Sequence, residues 1–194
     1  MVGFLGRKNK NVVYVFIDAS NLWQAQKAKG CFFDWEKLRG YLKTKFSADE
    51  IQFFYYTAYP ADGTRAYKID GKHKFLTYLK KGLGFVVRKK ELKRIAVQTE
   101  IGDAFEEKGN MDVEMTIDVL HQKANYQTAI FFTGDSDFLA LVTYLRNGGK
   151  KVHIFSSRNN ISHELKTGGD GYIDVLTITE DIWGRELTRR TDKA

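Results

Sequence analysis

The run Ala129-Ile130-Phe131-Phe132 has strand character, ends in Thr133-Gly134, and is followed at once by Asp135 and Asp137. A helical pattern of Leu139, Val142 and Leu145 then takes over. A strand turning directly into a helix is the unit of an open α/β sheet, whose ligands sit beyond the carboxyl ends of parallel strands. Capping is the competing account, because Asp and Ser are good N-caps and acids suit a first helical turn. Two aspartates flanking Ser136 are more than a cap needs, yet this stretch alone leaves the two accounts balanced.

The same pattern recurs upstream. Asn11 to Ile17 is a continuous β-branched and aromatic run, as expected of a strand buried on both faces of a parallel sheet. It ends in Asp18-Ala19-Ser20-Asn21, and a helical stretch follows to about Lys29. Ser20 or Asn21 suits the cap better than Asp18, which leaves a second carboxylate at a strand tip. Further along, the chain predicts a helix over 34–46 with Trp35, Leu38, Tyr41 and Leu42 on one side, and a strand over 51–58. A basic helix over 65–83 is expected to bury Tyr67, Phe75, Tyr78 and Leu79, and a short strand follows at 84–87. A loose hairpin or ordered loop is expected over 85–99. A helix over 110–124 carries Asn110 as cap and Val113, Ile117 and Leu120 as its apolar side, widened by Met115 and Val119. Strands over 150–155 and 172–178, a short helix over 161–166 and a last helix over 181–190 complete the chain. Strands alternating with helices in this way argue a parallel sheet covered on both faces, an α/β architecture.

Length and composition bound the rest. A chain of 194 residues with 43% hydrophobic residues and one proline carries a full core. It reads as one domain over 11–190, with loosely ordered or disordered charged residues at 1–10 and a tail at 191–194. One cysteine, Cys31, leaves no intrachain disulfide and no cysteine-based zinc site. No signal-peptide core and no membrane-spanning run is evident, so a cytoplasmic location away from membranes is expected. The formal charge of +7 is compatible with a polyanionic partner. An acidic site in a basic protein is what a metal-dependent enzyme acting on phosphodiesters needs.

Asp112, in the first turn of the 110–124 helix, adds a third carboxylate-bearing segment. Asp118 lies about 120° around that helix from it, off the face that carries Asp112. Four carboxylates in one crevice repel unless cations neutralise them. Oxygen ligands alone favour Mg²⁺ or Mn²⁺ over zinc. Such ions activate water and stabilise the leaving oxygen in an attack on phosphorus.

The segments Val15-Phe16-Ile17-Asp18-Ala19-Ser20-Asn21-Leu22, Lys108-Gly109-Asn110-Met111-Asp112-Val113 with Asp118, and Thr133-Gly134-Asp135-Ser136-Asp137-Phe138 resemble the three motifs of the NYN-domain family, the LabA-like branch of the PIN-like nucleases. Similarity continues through 145–152 and 163–174, so that it spans about 12–176. The resemblance implies a three-layer α/β/α Rossmann-like PIN fold with a mainly parallel central sheet. It further implies a metal-dependent nuclease, first of all an endoribonuclease on single-stranded RNA. Asp18, Asp112, Asp135 and Asp137 would be its metal ligands and, with Asn21, its catalytic residues. Ser20, Ser136 and Asp118 are secondary candidates. Ala19 departs from the family, standing where glycine is frequent.

For substrate grip, Lys72, Lys74, Arg88, Lys89, Lys90 and Lys108 are the candidate phosphate contacts. Trp23, Tyr56 and Tyr59 are candidates for base stacking, with rim or core packing as the plainer account of each. The expected partner is RNA, DNA remaining open, and PIN-like proteins often pair as homodimers. Two other readings compete with this one. A phosphatase with a strand-end aspartate needs a second acid at position 20, which is serine, and no Gly-rich phosphate loop follows a strand. A non-catalytic RNA-binding module on the same fold would be expected to have lost acidic positions.

Overall fold

Val13, Val15 and Ile17 alternate with Tyr14 and Phe16, so strand β1 (Val12–Asp18) sends apolar side chains to both faces. Only a central strand buries both. In this computed structural model, which describes residues 10–60, 70–99, 102–179 and 181–188, β1 lies between β3 (Glu50–Tyr59) and β7 (Thr128–Phe132) and pairs in parallel with each. The sheet continues through β4 (Val86–Glu91) on one side, and through β8 (Lys151–Ser156) and β9 (Gly171–Asp174) on the other. The order is β4-β3-β1-β7-β8-β9, and every pair is parallel.

One face packs Val13, Val15, Ile17, Phe53, Ile130 and Phe132 against α1 (Ala19–Lys29), α2 (Trp35–Lys45) and α3 (Asp70–Thr77). The other packs Phe16, Phe54, Ala129 and Phe131 against α4 (Asp112–His121), α5 (Leu139–Asn147) and α6 (His163–Gly168). The expected α/β/α layering is therefore present. The strand order reverses between β1 and β7, which puts the fold's switch point beside the two strand-tip aspartates.

Several elements differ from expectation. Of the helix expected over 181–190, residues 181–188 are described and are not helical: β2 (Cys31–Phe33) pairs antiparallel with β10 (Trp183–Glu186), and Trp183 stacks on Phe33 with ring centroids 4.2 Å apart. The strand expected over 172–178 stops at Asp174, whose carboxylate accepts the Leu176 N–H and starts a 3₁₀ turn at Val175–Thr177. The hairpin is shifted toward the C-terminus: β4 joins the main sheet, and β5 (Lys93–Thr99) pairs antiparallel with β6 (Gly102–Lys108). Beyond α3 the chain relaxes into a π-helical turn, Tyr78–Gly82, and Tyr78 is 48% exposed rather than buried. Tyr67, like residues 1–9 and 189–194, lies outside the described residues. Lys10 is described, and its ammonium pairs with Glu50.

Helix α4 is rotated relative to the expected orientation. It buries Met115, Asp118 and Val119 with the preceding Met111, and leaves Val113 65% and Ile117 59% exposed. Both stripes have helical spacing, 111-115-118 and 113-117-120, so periodicity did not choose between them. Asn110 is not the cap either. Met111 holds that position without a side-chain bond, while Asn110 Nδ2 donates to the Asp112 carboxylate at 2.5 Å.

Candidate metal centre and groove

Asp18 leaves β1 with φ −76° and ψ 111°, and its Oδ1 accepts the Ser20 N–H at 2.9 Å and the Ser20 hydroxyl at 2.8 Å. Asp135 leaves β7 in the same way, φ −78° and ψ 124°, and its Oδ1 accepts the Asp137 N–H at 3.0 Å. Each aspartate is thus a cap and also a strand-tip carboxylate. Capping and site-building are not alternatives here, because the cap bond is what holds each carboxylate at the sheet edge.

Asp112, Asp135 and Asp137 each offer one carboxylate oxygen such that all three lie within 4.8 Å of one another. Asp18 lines the same groove. Burial pushes the Asp112 carboxyl up to about 6, with the negative charges of Asp135, Asp18 and Asp137 adding to it and Lys90 opposing. Burial also raises Asp18, against the Ser20 and Asn21 hydrogen bonds, with Asp135 repelling it. The groups the site offers are carboxylates alone, a hard-oxygen set of the kind that suits Mg²⁺ or Mn²⁺.

The tight Thr-Gly-Asp turn depends on Gly134. A Cβ there would stand 2.2 Å from the Asn160 carbonyl oxygen and 2.8 Å from Ser156 Oγ. The loop after β8 crosses directly over it, and the Ser162 N–H donates to the Gly134 carbonyl at 2.9 Å. Asn21 meets the same loop region, its Oδ1 accepting from Ser156 Oγ at 3.0 Å. It therefore ties α1 to the β8 tip. Ser20 and Ser136 are exposed in the two cap turns.

Asp118 does not join the cluster. It is buried and accepts Arg88 Nε at 2.8 Å, Arg88 Nη2 at 3.0 Å and the Tyr56 hydroxyl at 3.0 Å. This bond also removes Tyr56, 1% exposed, from the stacking candidates. Along β4 the basic residues divide by face. Arg88 and Lys90 reach α4, Lys90 Nζ meeting Glu114 at 2.9 Å, whereas Lys89 lies over the Tyr59 ring. Lys72 donates to the Ala58 carbonyl at 2.9 Å and lines the groove, and its burial lowers its pKa. Lys74 is exposed on α3. The Lys108 side chain lies outside what the structure describes. Phe32, Tyr78 and Arg185 also line the groove, and sequence reasoning did not place them there. Arg185 was hidden by the helical reading of 181–190, although alternating Trp183 and Arg185 is a strand signal.

No helix among the described residues is long and apolar enough to cross a membrane. A solved structure of a protein of unknown function from Vibrio parahaemolyticus has the same fold, with TM-score 0.65 and 22% identity, covering 92% of this chain and 99% of that one. The low amplitude and bright protein LabA of Synechococcus elongatus is 28% identical over 182 residues, 92% of this chain and 89% of LabA. The model of the NYN domain matches residues 12–177. With that match running from the first residue of β1 to the last of the 3₁₀ turn after β9, the chain belongs to the NYN-domain family.

Proposed function

We propose that this protein is a divalent-metal-dependent endoribonuclease that cuts single-stranded RNA. The observation that carries the reading is the meeting of Asp112, Asp135 and Asp137 at the switch point of a parallel sheet, in a chain of net charge +7. These three would hold Mg²⁺ or Mn²⁺, with Asp18 as the fourth carboxylate of the groove. When bound, such an ion lowers the pKa of water and offsets charge on the phosphoryl and leaving oxygens. The protein's own part is positional. Ser20 and the Asp137 amide fix Asp18 and Asp135, Asn110 orients Asp112, and Gly134 lets the turn close beneath the site. Basic residues around the groove attract the phosphate backbone without specifying its sequence.

The test uses a fluorescent circular single-stranded RNA and a matched DNA circle, each with Mg²⁺, with Mn²⁺ and with EDTA. A circle has no ends, so only an endonuclease opens it. Metal-dependent opening of the RNA circle is expected. Opening of the DNA circle alone would correct the substrate. Binding without cleavage of either would replace the enzyme with an RNA-binding module.

A further inference from the structure

The groove does not end at the carboxylates. It has a volume of about 1120 Å³ and runs from Asp18 and Asp112 to an aromatic arm on α1, β2 and the π-helical turn. Trp23 is 42% exposed there and Tyr78 48%. Trp23 lies against Phe32 with ring centroids 6.2 Å apart and planes 32° from parallel, and the Arg185 guanidinium sits 5.0 Å from the Phe32 ring centroid. Phe32 thus contacts both Trp23, tilted against it, and the Arg185 guanidinium, and Tyr78 and Lys72 also stand on the groove wall.

Among the described residues Tyr78 lies against Gly82 and Trp23 against Phe32, yet both rings remain more than two-fifths exposed. Trp23 and Tyr78 lie outside both hydrophobic cores, whereas their neighbours Leu22 and Leu79 are buried in one. A large ring kept half in water costs the favourable burial it would otherwise gain. Aromatic faces and guanidinium planes beside a phosphate-handling site are the means by which proteins hold unstacked bases. Trp23 lies five residues beyond Asp18, about 7 Å further along the axis of α1.

We infer that Trp23, Phe32, Tyr78 and Arg185 form a base-stacking subsite that takes an unpaired nucleobase next to the phosphodiester held at the carboxylates. The inference rests on the nuclease reading for its position, but its chemistry is separately measurable. A duplex presents no free base face to this arm, so the subsite selects single strands. Because every base has a stacking face, it does so with little preference among sequences.

Binding in EDTA, where cleavage is silent, separates the two claims. The probes are a fluorescein-labelled mixed-sequence RNA strand, its duplex, and a strand of the same length with abasic ribose throughout. Trp23→Ala and Tyr78→Ala should each weaken single-strand binding about tenfold. Trp23→Phe should stay within about twofold, since it keeps a ring. The abasic strand should bind wild type as weakly as it binds Trp23→Ala. In the metal-loaded cleavage assay, Trp23→Ala should raise KM and leave kcat unchanged. Equal binding of normal and abasic strands by wild type, or undiminished binding by both alanine variants, would overturn the subsite. If wild type never cleaves, the nuclease reading fails and the EDTA arm still decides the subsite.

Discussion

Asp112 shows how one residue reports on the whole site. Its carboxyl is raised to about 6 by burial and by three neighbouring aspartates, whereas in the unfolded chain it titrates near 3.8. A raised carboxyl favours the folded state fully below the unfolded pKa, and that contribution is lost as pH climbs through the folded pKa. The chelated protein should therefore lose stability between about pH 4 and pH 6. Asp112→Asn should raise its Tm at pH 7 by about 2–4 °C, a figure discounted for the partial exposure of the group. Mn²⁺ should raise the wild-type Tm more at pH 7 than at pH 5, and should barely move that of Asp112→Asn. Scanning calorimetry with EDTA and with Mn²⁺ checks each part. Gly134 makes a second prediction at this scale. Gly134→Ala pushes a Cβ into the Asn160 carbonyl, and should lower the Tm by about 5–10 °C, reading as loss of the turn.

Among elements, α4 tests how the chain chooses a face. Met115 is buried and Ile117 is 59% exposed, so Met115→Ala should cost about 2–4 kcal/mol while Ile117→Lys stays within about 0.5 kcal/mol in urea unfolding. A cost of Ile117→Lys as large as that of Met115→Ala would restore the wider apolar side read from periodicity alone. The same helix carries Asp118, held by Arg88 and Tyr56. Arg88→Ala should destabilise by about 1–3 kcal/mol, because the buried carboxylate loses its ion partner. If the protein cleaves RNA as proposed, Asp118→Asn should leave kcat within about threefold of wild type, as expected of a carboxylate outside the Asp112-Asp135-Asp137 cluster. Strands β1, β7 and β8 were legible because each is a long apolar run ending in a polar turn. The strand β10 was not. Its four residues find their partner, β2, about 150 residues away in sequence, and no local pattern encodes that pairing. The 3₁₀ turn after Asp174 was missed for the opposite reason, since a cap outweighed the β propensity of Val175-Leu176-Thr177.

On the scale of the whole molecule, the acidic site and the basic chain are two halves of one design. Three segments, the first about ninety residues before the second and the second about twenty before the third, reach one edge because a parallel sheet aligns its strand ends. That convergence was readable from Asp18, Asp112 and Asp135 with Asp137 alone, since each ends an apolar run or opens a helix. The groove wall was not readable, because Phe32, Tyr78 and Arg185 come from a short strand, a π-helical turn and a strand read as helix. Cleavage of a labelled single-stranded RNA by wild type, Asp112→Asn and Asp135→Asn, with Mn²⁺ and with EDTA, tests the central claim most directly. The account predicts that wild type cuts with the metal only, and that each variant is slowed at least about a hundredfold while remaining folded. Cleavage that survives EDTA, or that either variant performs at the wild-type rate, would contradict it.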